Sequence, residues 1–298
     1  MSIPSPQFVC LDLPQMLANK LVVIMGATGT GKTKLSIDVA KVIGGEVINA
    51  DKMQIYAGLD IATNKVSIHD TCGVPHHLIG VLPSTTREFP VPFFRSLATA
   101  TANSIVRHSH TPVVVGGSNS LIHGLLVDYF DSSLSNPFIL DNCWPSLRCQ
   151  CCLLWIHANE FVLNEYLNHR VDDMVDSGLV KEVKDYFDTS SNYVEQAGLG
   201  KAIGVPELGK YFMGCKSYCD AIAEMKDNTR TLAKTQSAKI RHMVDAWGWP
   251  ICSLDATKTI QARINRSGHE VEDLAWQHVV SGPALNAISE FCRRLNDF

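Results

Sequence analysis

The octapeptide GATGTGKT, residues 26–33, has the residue types and spacing of a phosphate-binding loop. Its template places glycines at Gly26 and Gly31, a lysine at Lys32 and a hydroxyl at Thr33. Glycines let consecutive backbone N–H groups curl around a phosphate, the lysine supplies positive charge, and the hydroxyl holds Mg²⁺. The motif therefore predicts that the chain binds a di- or triphosphate with Mg²⁺, and it leaves open which reaction follows.

The residues on either side of this loop provide the context that it requires. The apolar run at residues 21–25 predicts a buried strand. Residues 34–43 have the apolar spacing of a helix, with Leu35, Val39 and Val42 on one side. A strand, a glycine loop and a helix in this order are typical of phosphate-binding loops, so the context supports the motif.

Asp51, in the segment EVINADKMQIY, is the second candidate for chemistry. It follows the predicted strand at residues 46–49, whereas the more apolar strand at residues 113–115 ends in GGSNS, which contains no acid. Open parallel sheets bind ligands at the carboxyl ends of their strands. Asp51 could therefore hold Mg²⁺, act as a general base toward a second substrate, or cap the following helix.

Apolar runs and helical stretches alternate along the first half of the chain. The runs that predict strands are residues 21–25, 46–49, 112–115, 153–156 and 249–254. Helical stretches between the first four runs predict an α/β fold, a P-loop NTPase-like parallel sheet flanked by helices. Residues 160–246 have mostly helical patterns, so a smaller, mainly helical C-terminal part is expected beside the sheet.

This alternation predicts three parts of the chain. We expect a P-loop α/β core domain at residues 1–158 and a mainly helical, substrate-covering domain at residues 159–246. Residues 247–298 are expected to return a strand to the core and to end in two helices separated at Gly282 and Pro283.

The helical part also carries a group of acids. One amphipathic helix at residues 161–178 is expected to end at Gly178, and a second to continue over residues 179–187. The acids are Asp172, Asp173, Asp176 and Asp185. Acids in this pattern are typical of a solvated helix face, and we favour that interpretation over a catalytic set.

Composition and charge limit the kinds of partner. The chain has 298 residues, 46% hydrophobic content, a mean hydropathy of +0.04 and a net charge of −4. These values predict a globular protein, and the negative net charge with no run of five like charges argues against a nucleic-acid partner. No window approaches the length of about 18 uninterrupted apolar residues that a membrane span needs, so no membrane partner is expected.

The ten cysteines favour a reducing compartment over a disulfide framework, because the first twenty residues have no secretory apolar core. Cys149 and Cys152 form a C-x-x-C pair with Cys151 between them. No second Cys or His pair follows at zinc-finger spacing, and the cluster runs directly into a predicted strand. We therefore favour a structural role over metal binding or redox chemistry.

Seven segments together resemble the isopentenyltransferases that prenylate adenine, and most of all the plant adenylate isopentenyltransferases. They are IMGATGTGKTKLSIDVA, EVINADKMQIYAGLDIATNK, GVPHHLIG, PVVVGGSNSLIHGLL, Arg170-x-x-x-Met174-x-x-x-Gly178-x-x-x-Glu182, GLGKAIGVPELGKYF and NTRTLAKTQSAKI. They occur in the order typical of that family and extend over residues 21–241, about three quarters of the chain.

The resemblance implies that the loop binds the diphosphate of dimethylallyl diphosphate, which is the leaving group. The implied diphosphate-binding residues are Gly26, Ala27, Thr28, Gly29, Thr30, Gly31, Lys32, Thr33 and Arg230. Lys32, the loop N–H groups and Mg²⁺ on Thr33 would stabilise the negative charge that develops as the diphosphate departs. Mg²⁺ is therefore the expected cofactor, and Lys32, Thr33 and Arg230 are expected to take part in catalysis.

The resemblance also implies a site for an adenine nucleotide as acceptor. Asp51 matches the family aspartate that orients the exocyclic N6 amine and takes its proton, so it is the expected catalytic base. Ser118 and Asn119 resemble positions that line the nucleotide pocket. Gln54 and Tyr56 belong to the Asp51 segment and could equally be packing residues.

Two adjacent histidines, His76 and His77 in VPHHLIG, are candidates for an acid or a ligand. Adjacent residues rarely point to one site. A structural role is therefore favoured for both.

One segment separates the possible acceptors. Relatives that prenylate tRNA carry an extra helical stretch between the GG segment and the helix of Arg170, and they read GGTGLY where this chain has GGSNSL. Here only about 30 residues, 127–156, follow Leu126 before that helix. The resemblance implies transfer to N6 of ATP or ADP, or AMP, the first step of cytokinin synthesis. A tRNA dimethylallyltransferase is the alternative, and a phosphate-loop kinase is a more distant one.

The location and assembly of the protein are further expectations. The resemblance implies residence in a plastid, as for many plant relatives, and a cytoplasmic location is the alternative. A monomer that acts on small-molecule substrates is expected.

Overall fold

The computed structural model describes residues 20–130, 137–139, 145–189 and 197–296. Its centre is a parallel sheet whose strands, in chain order, are β1 Lys20–Gly26, β2 Gly45–Asn49, β3 His76–His77, β4 Thr111–Gly116, β5 Gln150–His157 and β6 Ile251–Asp255. Across the sheet the strands lie in the order β3-β2-β4-β1-β5-β6. Because β1 is an inner strand, the loop that follows it leaves the sheet in the middle of its carboxyl edge.

Helices pack on both faces of the sheet. They are α1 Lys32–Ile43, α2 Val91–Arg107, α3 Asn119–Leu126, α4 Glu160–Asp176, α5 Leu179–Thr189, α6 Val205–Phe212, α7 Tyr218–Asp245, α8 Thr257–Ile264, α9 His269–Trp276 and α10 Gly282–Asn296. The predicted parallel α/β sheet with a mainly helical C-terminal part is therefore confirmed. None of the helices in the described ranges has the length and apolar character needed to cross a membrane.

β1 is apolar along its length because both of its faces are covered. Leu21, Val23 and Met25 contribute to a core shared with α2, α3 and α7. Val22 and Ile24 point to the opposite face and join a core with α1 and α10. Successive side chains of a strand alternate between faces, so burial on both sides removes the alternation of polar residues.

All five predicted strands form, and the prediction missed one further strand. β3 consists of His76 and His77 alone, which is too short to show a periodic pattern. It pairs in parallel with β2 at the edge of the sheet. β6 begins at Ile251 rather than at residue 249. Pro250 has no N–H to donate to a neighbouring strand, which accounts for the later start.

The end of the described chain corrects one prediction, because no break separates two helices at Gly282 and Pro283. α9 runs into a π-helical turn, Gln277–Ser281, and α10 begins directly at Gly282. The Gly282 N–H donates to the carbonyl of Gln277, five residues earlier. Pro283 then falls in the first turn of α10, where a missing N–H costs no helical hydrogen bond. The wider turn thus accommodates the proline.

The acids of α4 and α5 lie on solvated helix faces, as predicted. The exposed members are Asp172, Asp173, Asp176 and Asp185. Asp172 pairs with Lys226 at 2.6 Å, and Asp185 pairs with Lys181 at 2.6 Å. Gly178 separates the two helices with a positive φ of 102°, as its predicted role in ending the first helix requires.

A buried aromatic cluster packs α3 against the segment that follows α7. His123 of α3 is 6% exposed, and its ring centre lies 5.0 Å from that of Trp247 and 6.4 Å from that of Trp249. Its Nδ1 has no hydrogen-bond partner among the described residues. Burial, reinforced by the positive charge of Arg95, lowers the pKa of His123 to about 4. The ring is therefore neutral in the folded protein near pH 7.

The lowered pKa of His123 predicts a loss of stability in acid. The unfolded chain binds a proton below the ordinary pKa of 6.5, whereas the folded ring binds it only near pH 4. The free energy of unfolding should therefore fall as the pH drops through this interval, by up to about 1.4 kcal/mol per pH unit. Urea titrations at a series of pH values give the free energy of unfolding at each pH. For His123→Phe, this free energy should fall less steeply with decreasing pH, by up to about 1.4 kcal/mol per pH unit.

A matched control for this experiment is His69→Asn, since the His69 side chain is 99% exposed. The control should keep the wild-type dependence of stability on pH. Equal slopes for the wild type and both variants would contradict the assignment to His123.

Candidate active site

The phosphate loop is the turn between β1 and α1, and its glycines are required by conformation and by close contacts. Gly29 and Gly31 have positive φ angles of 81° and 96°. A Cβ atom on Gly29 would lie 2.7 Å from the Leu167 side chain, and one on Gly31 would lie 2.8 Å from the Trp276 ring. Any side chain at either position would be strained and would collide with its neighbour. The loop is thus enclosed by α4 and α9.

Inside the loop, polar side chains converge on the carbonyl oxygen of Ala27. Lys32 Nζ donates to it at 2.7 Å and Thr30 Oγ1 at 2.9 Å. Thr30 is 1% exposed, so its hydroxyl closes the loop rather than facing a ligand. Thr33, in contrast, is exposed and lines the cavity in front of the loop.

Two adjoining cavities lie in front of the loop. The smaller one has a volume of about 240 Å³ and a mainly polar lining that includes Lys32 and Thr33. The larger one has a volume of about 600 Å³, a mainly apolar lining and contributions from α4, α6 and α7. We call the residues that line both cavities the shared wall: Thr28, Asp51, Thr63, Asn64 and Arg170.

Two positive charges dominate the smaller cavity. Burial lowers the pKa of Lys32 to about 8, with opposing contributions from Asp51, which raises it, and Arg170, which lowers it further. Burial likewise lowers the pKa of Arg170, whose guanidinium donates to Thr28 Oγ1 at 2.8 Å. Among the ion pairs of the described residues, neither cation has a partner. The cavity is therefore arranged to receive an anion.

Asp51 lies just beyond the end of β2, on the shared wall. Its backbone is held by Asn49, whose Oδ1 accepts from the Asp51 N–H at 3.0 Å. Asp51 Oδ1 accepts from the Met53 N–H at 3.1 Å, at the start of a short 3₁₀ turn. The residue thus has the predicted capping contact and also borders both cavities, which is the position that a base or metal ligand needs.

Ser118 lines a cavity, whereas Asn119 does not. Ser118 lines the larger cavity, and its Oγ accepts from the Lys52 N–H at 2.8 Å. Asn119 is 2% exposed and is absent from both linings. Its Nδ2 donates to the backbone carbonyl of Gln236 at 2.8 Å. The structure therefore places Ser118 at the cavity and Asn119 behind it.

Arg230 stands between Thr229 and Thr231, which line the larger cavity, but it is not a lining residue itself. It lines neither of the two cavities, and its guanidinium donates to Asn168 Oδ1 and Asp227 Oδ1. A contact between Arg230 and a diphosphate in the smaller cavity would require these bonds to break. Arg170 is the arginine of α4 that the structure brings to the phosphate loop.

The remaining candidates have structural contacts. Gln54 lines the smaller cavity while its Nε2 donates to the Thr63 and Asn64 carbonyls, both at 3.1 Å. Tyr56 is fully buried in the core. His76 contacts the Val74 carbonyl at 2.8 Å, and His77 contacts Glu46 at 2.6 Å. Neither histidine lines either cavity, in keeping with the structural role predicted for both.

Two residues without a predicted role also shape the site. The Glu182 carboxylate accepts from the N–H groups of Ile61 and Ala62, each at 2.9 Å, and thereby holds the segment that supplies Thr63 and Asn64. Arg263 of α8 lines the smaller cavity and donates to the Tyr166 hydroxyl at 3.0 Å. Glu182 belongs to the segment Arg170-x-x-x-Met174-x-x-x-Gly178-x-x-x-Glu182, so the sequence did contain a signal for it. No periodicity or spacing in the sequence indicates a role for Arg263.

Comparison with known proteins identifies the family. A model of IPP transferase matches residues 54–142 and 136–243, and a model of isopentenyl transferase matches residues 19–71. The chain is 39% identical over 302 residues to adenylate isopentenyltransferase 8, chloroplastic, of Arabidopsis thaliana, over 95% of this chain and 88% of that protein. This chain belongs to the isopentenyltransferase family.

Other isopentenyltransferases extend the comparison. The adenylate isopentenyltransferase of Humulus lupulus is 40% identical over 295 residues, which cover 90% of this chain and 89% of that protein. A eukaryotic dimethylallyltransferase acting on tRNA has the same fold, with a TM-score of 0.73 and 26% identity over 84% of this chain and 77% of that one. A Bacillus halodurans tRNA isopentenylpyrophosphate transferase gives a TM-score of 0.70 and 26% identity, covering 91% and 99% of the respective chains.

The placement of the two arginines predicts unequal effects of their removal. Arg170→Gln removes a desolvated charge at the smaller cavity, so binding of inorganic diphosphate should weaken by about 10- to 100-fold, the value of one charge-assisted hydrogen bond. Arg230→Gln is the matched variant outside the cavities and should weaken it much less. Titration calorimetry with both variants checks this order. A larger loss for Arg230→Gln would favour the role implied by the family resemblance.

Proposed function

We propose that this isopentenyltransferase transfers the dimethylallyl group of dimethylallyl diphosphate to N6 of adenine in free ATP, ADP or AMP. The observation that carries the proposal is the position of Asp51 on the wall shared by a cationic phosphate-loop cavity and a larger apolar cavity. The first cavity suits the diphosphate. The second offers apolar surface for a prenyl chain and a purine ring, with a carboxylate at its entrance.

The reaction would proceed by departure of the diphosphate and attack of the amine. The bond from the allylic carbon to the ester oxygen of the diphosphate breaks, and its electron pair stays on the departing diphosphate. Lys32 and Arg170 would stabilise that growing negative charge, since both are desolvated and both line the smaller cavity. The N6 lone pair forms the new C–N bond, and the N6 proton passes to the Asp51 carboxylate.

Mg²⁺ is the proposed cofactor, and the residues present fit it. Thr33 would supply the protein oxygen, because its hydroxyl is exposed and lines the smaller cavity. Mg²⁺ characteristically takes one or two protein oxygens and completes its shell with water and substrate phosphates. When bound there, Mg²⁺ would neutralise charge on the leaving diphosphate.

Sequence features and relatives favour a free nucleotide as the acceptor. The relatives from Arabidopsis thaliana and Humulus lupulus are named adenylate isopentenyltransferases. Only about 30 residues lie between Leu126 and residue 157, too few for the extra helical stretch of tRNA-acting relatives. A preference for ATP and ADP over AMP is part of the proposal. So is plastid residence, because several relatives are named chloroplastic.

A tRNA acceptor is the second candidate. It is favoured by the similarity of the fold to a dimethylallyltransferase acting on tRNA, at a TM-score of 0.73. The two candidates differ in acceptor only, so one assay separates them.

The acceptor assay offers ATP, ADP, AMP and an unmodified tRNA together, with dimethylallyl diphosphate and Mg²⁺, and measures products by mass spectrometry. We expect prenylated free nucleotides, with ATP and ADP products in excess of AMP product. Product on tRNA alone would establish the second candidate. If no prenylated product forms, a separate incubation with ATP as the only nucleotide is measured, and release of ADP there would favour a kinase and overturn the proposal.

The role of Asp51 as a base predicts a specific loss. Asp51→Asn preserves the shape of the side chain and its contact with the Met53 N–H, but it cannot take the N6 proton. We expect kcat to fall by about 10²- to 10⁴-fold, while binding of dimethylallyl diphosphate stays near the wild-type value. Asp60→Asn is the control, because Asp60 pairs with Lys65 and lines neither cavity. Wild-type turnover in Asp51→Asn would rule out the base.

A further inference from the structure

Gln236, on α7, connects two loops that are far apart in the sequence. Its side-chain Oε1 accepts from the N–H of Thr28, in the phosphate loop, at 2.8 Å. Its side-chain Nε2 donates to the carbonyl of Gly117, in the turn after β4, at 3.0 Å. The residue is 8% exposed and is among the residues that line the larger cavity, and its hydrogen bond to Gly117 is buried. One buried amide thus satisfies a donor of one loop and an acceptor of the other.

The backbone of Gln236 strengthens the same connection. Its carbonyl oxygen accepts from Asn119 Nδ2 at 2.8 Å, so the turn after β4 is bound to α7 at two points. A Cβ atom on Gly117 would lie 2.4 Å from Gln236 Nε2. Glycine at this position is therefore what allows the amide to reach the turn.

The chemistry of the contact selects glutamine. A donor and an acceptor at the end of the same side chain are needed at once, and a carboxylate would turn an acceptor toward the Gly117 carbonyl. An apolar side chain of similar length would leave the Thr28 N–H and the Gly117 carbonyl buried without these partners. Thr28 is therefore held at two atoms: its N–H donates to Gln236, and its Oγ1 accepts from Arg170 at 2.8 Å.

The contact continues from the turn to Asp51. Ser118 follows Gly117, and its Oγ accepts from the Lys52 N–H at 2.8 Å. The Ser118 N–H in turn donates to the carbonyl of Ala50 at 3.3 Å. Asp51 lies between these two anchored residues. Hydrogen bonds therefore connect the phosphate loop to Gln236 and Gln236 to the turn after β4. Further hydrogen bonds connect that turn to the residues on either side of Asp51.

We propose that Gln236 is a positioning residue that sets the separation between the phosphate loop and Asp51. The inference rests on the proposed function, because it assumes that the loop holds the leaving group while Asp51 serves the acceptor. Both polar atoms of the Gln236 side chain are already bound to the protein. Gln236 therefore acts through the geometry of the two loops rather than on a reacting atom.

The test compares Gln236→Met and Gln236→Glu with the wild type and with Gln150→Glu. Gln150 is exposed at the start of β5, at the amino ends of the parallel strands, whereas the phosphate loop lies at their carboxyl ends. Gln150→Glu therefore controls for the added charge. For both Gln236 variants we expect kcat to fall by about 10²-fold, the effect of a small misplacement of reacting groups. For Gln236→Met, KM values and binding of inorganic diphosphate should stay near the wild-type values, because the other loop N–H groups remain. Gln236→Glu places a negative charge beside the loop and should also weaken binding of inorganic diphosphate. The control should keep the wild-type kcat.

A double variant separates positioning from simple support of the fold. If Gln236 acts through Asp51, the loss in Gln236→Met combined with Asp51→Asn should be smaller than the product of the two single losses. Independent, multiplicative losses would overturn the inference, and so would wild-type kcat in both Gln236 variants. Unfolding of both variants at the assay temperature would also overturn it, because it would assign Gln236 to stability alone.

The outcome for the wild type distinguishes the two proposals. If the wild-type protein forms no prenylated nucleotide, the proposed function fails. If the wild type is active and the Gln236 variants match it, only the positioning role fails.

Discussion

The hydrogen bond between the Thr28 N–H and the Gln236 side chain joins residues 208 positions apart, and it is one of several contacts that enclose the phosphate loop. Leu167 packs against Gly29, and the Trp276 ring packs against Gly31. A loop of glycines has little rigidity of its own, because glycine loses the most conformational freedom when it is fixed. Its shape therefore depends on side chains that other elements bring to it, and the arrangement of α4, α7 and α9 follows from that need.

Charge is the second constraint on the site. Lys32 and Arg170 are both desolvated, and Asp51 is the acid on the wall of the same cavity. Desolvated positive charges are unfavourable when no anion is near them. Binding of a diphosphate removes this unfavourable interaction, which contributes to the free energy of binding. As that anion approaches Lys32, it raises a pKa that burial has lowered to about 8, and it thereby keeps the ammonium charged.

Local patterns predicted most of the sheet and the location of the site. The run at residues 21–25 leads directly into the glycine loop, and Asp51 follows the next strand, β2. Because parallel strands bind ligands at their carboxyl ends, these local patterns were enough to place Asp51 beside the loop. Contacts between distant segments could not be predicted in this way. Arg170 and Arg230 both lie on predicted helices, and only the packing of α4 against the loop brings Arg170 to the cavity.

The position of Trp276 has a consequence for the synthesis of the protein. The phosphate motif is complete once the first turn of α1 is synthesised, whereas the indole that packs against Gly31 is added only after α8. The Trp276 indole also donates to Asp38 at 2.7 Å. A contact of α1, the helix that follows the motif, therefore also forms only once Trp276 is present. A nascent chain that stops short of α9 therefore contains every motif residue but lacks the surface against which the loop is shaped. The loop therefore acquires its packed shape only after α9 has emerged.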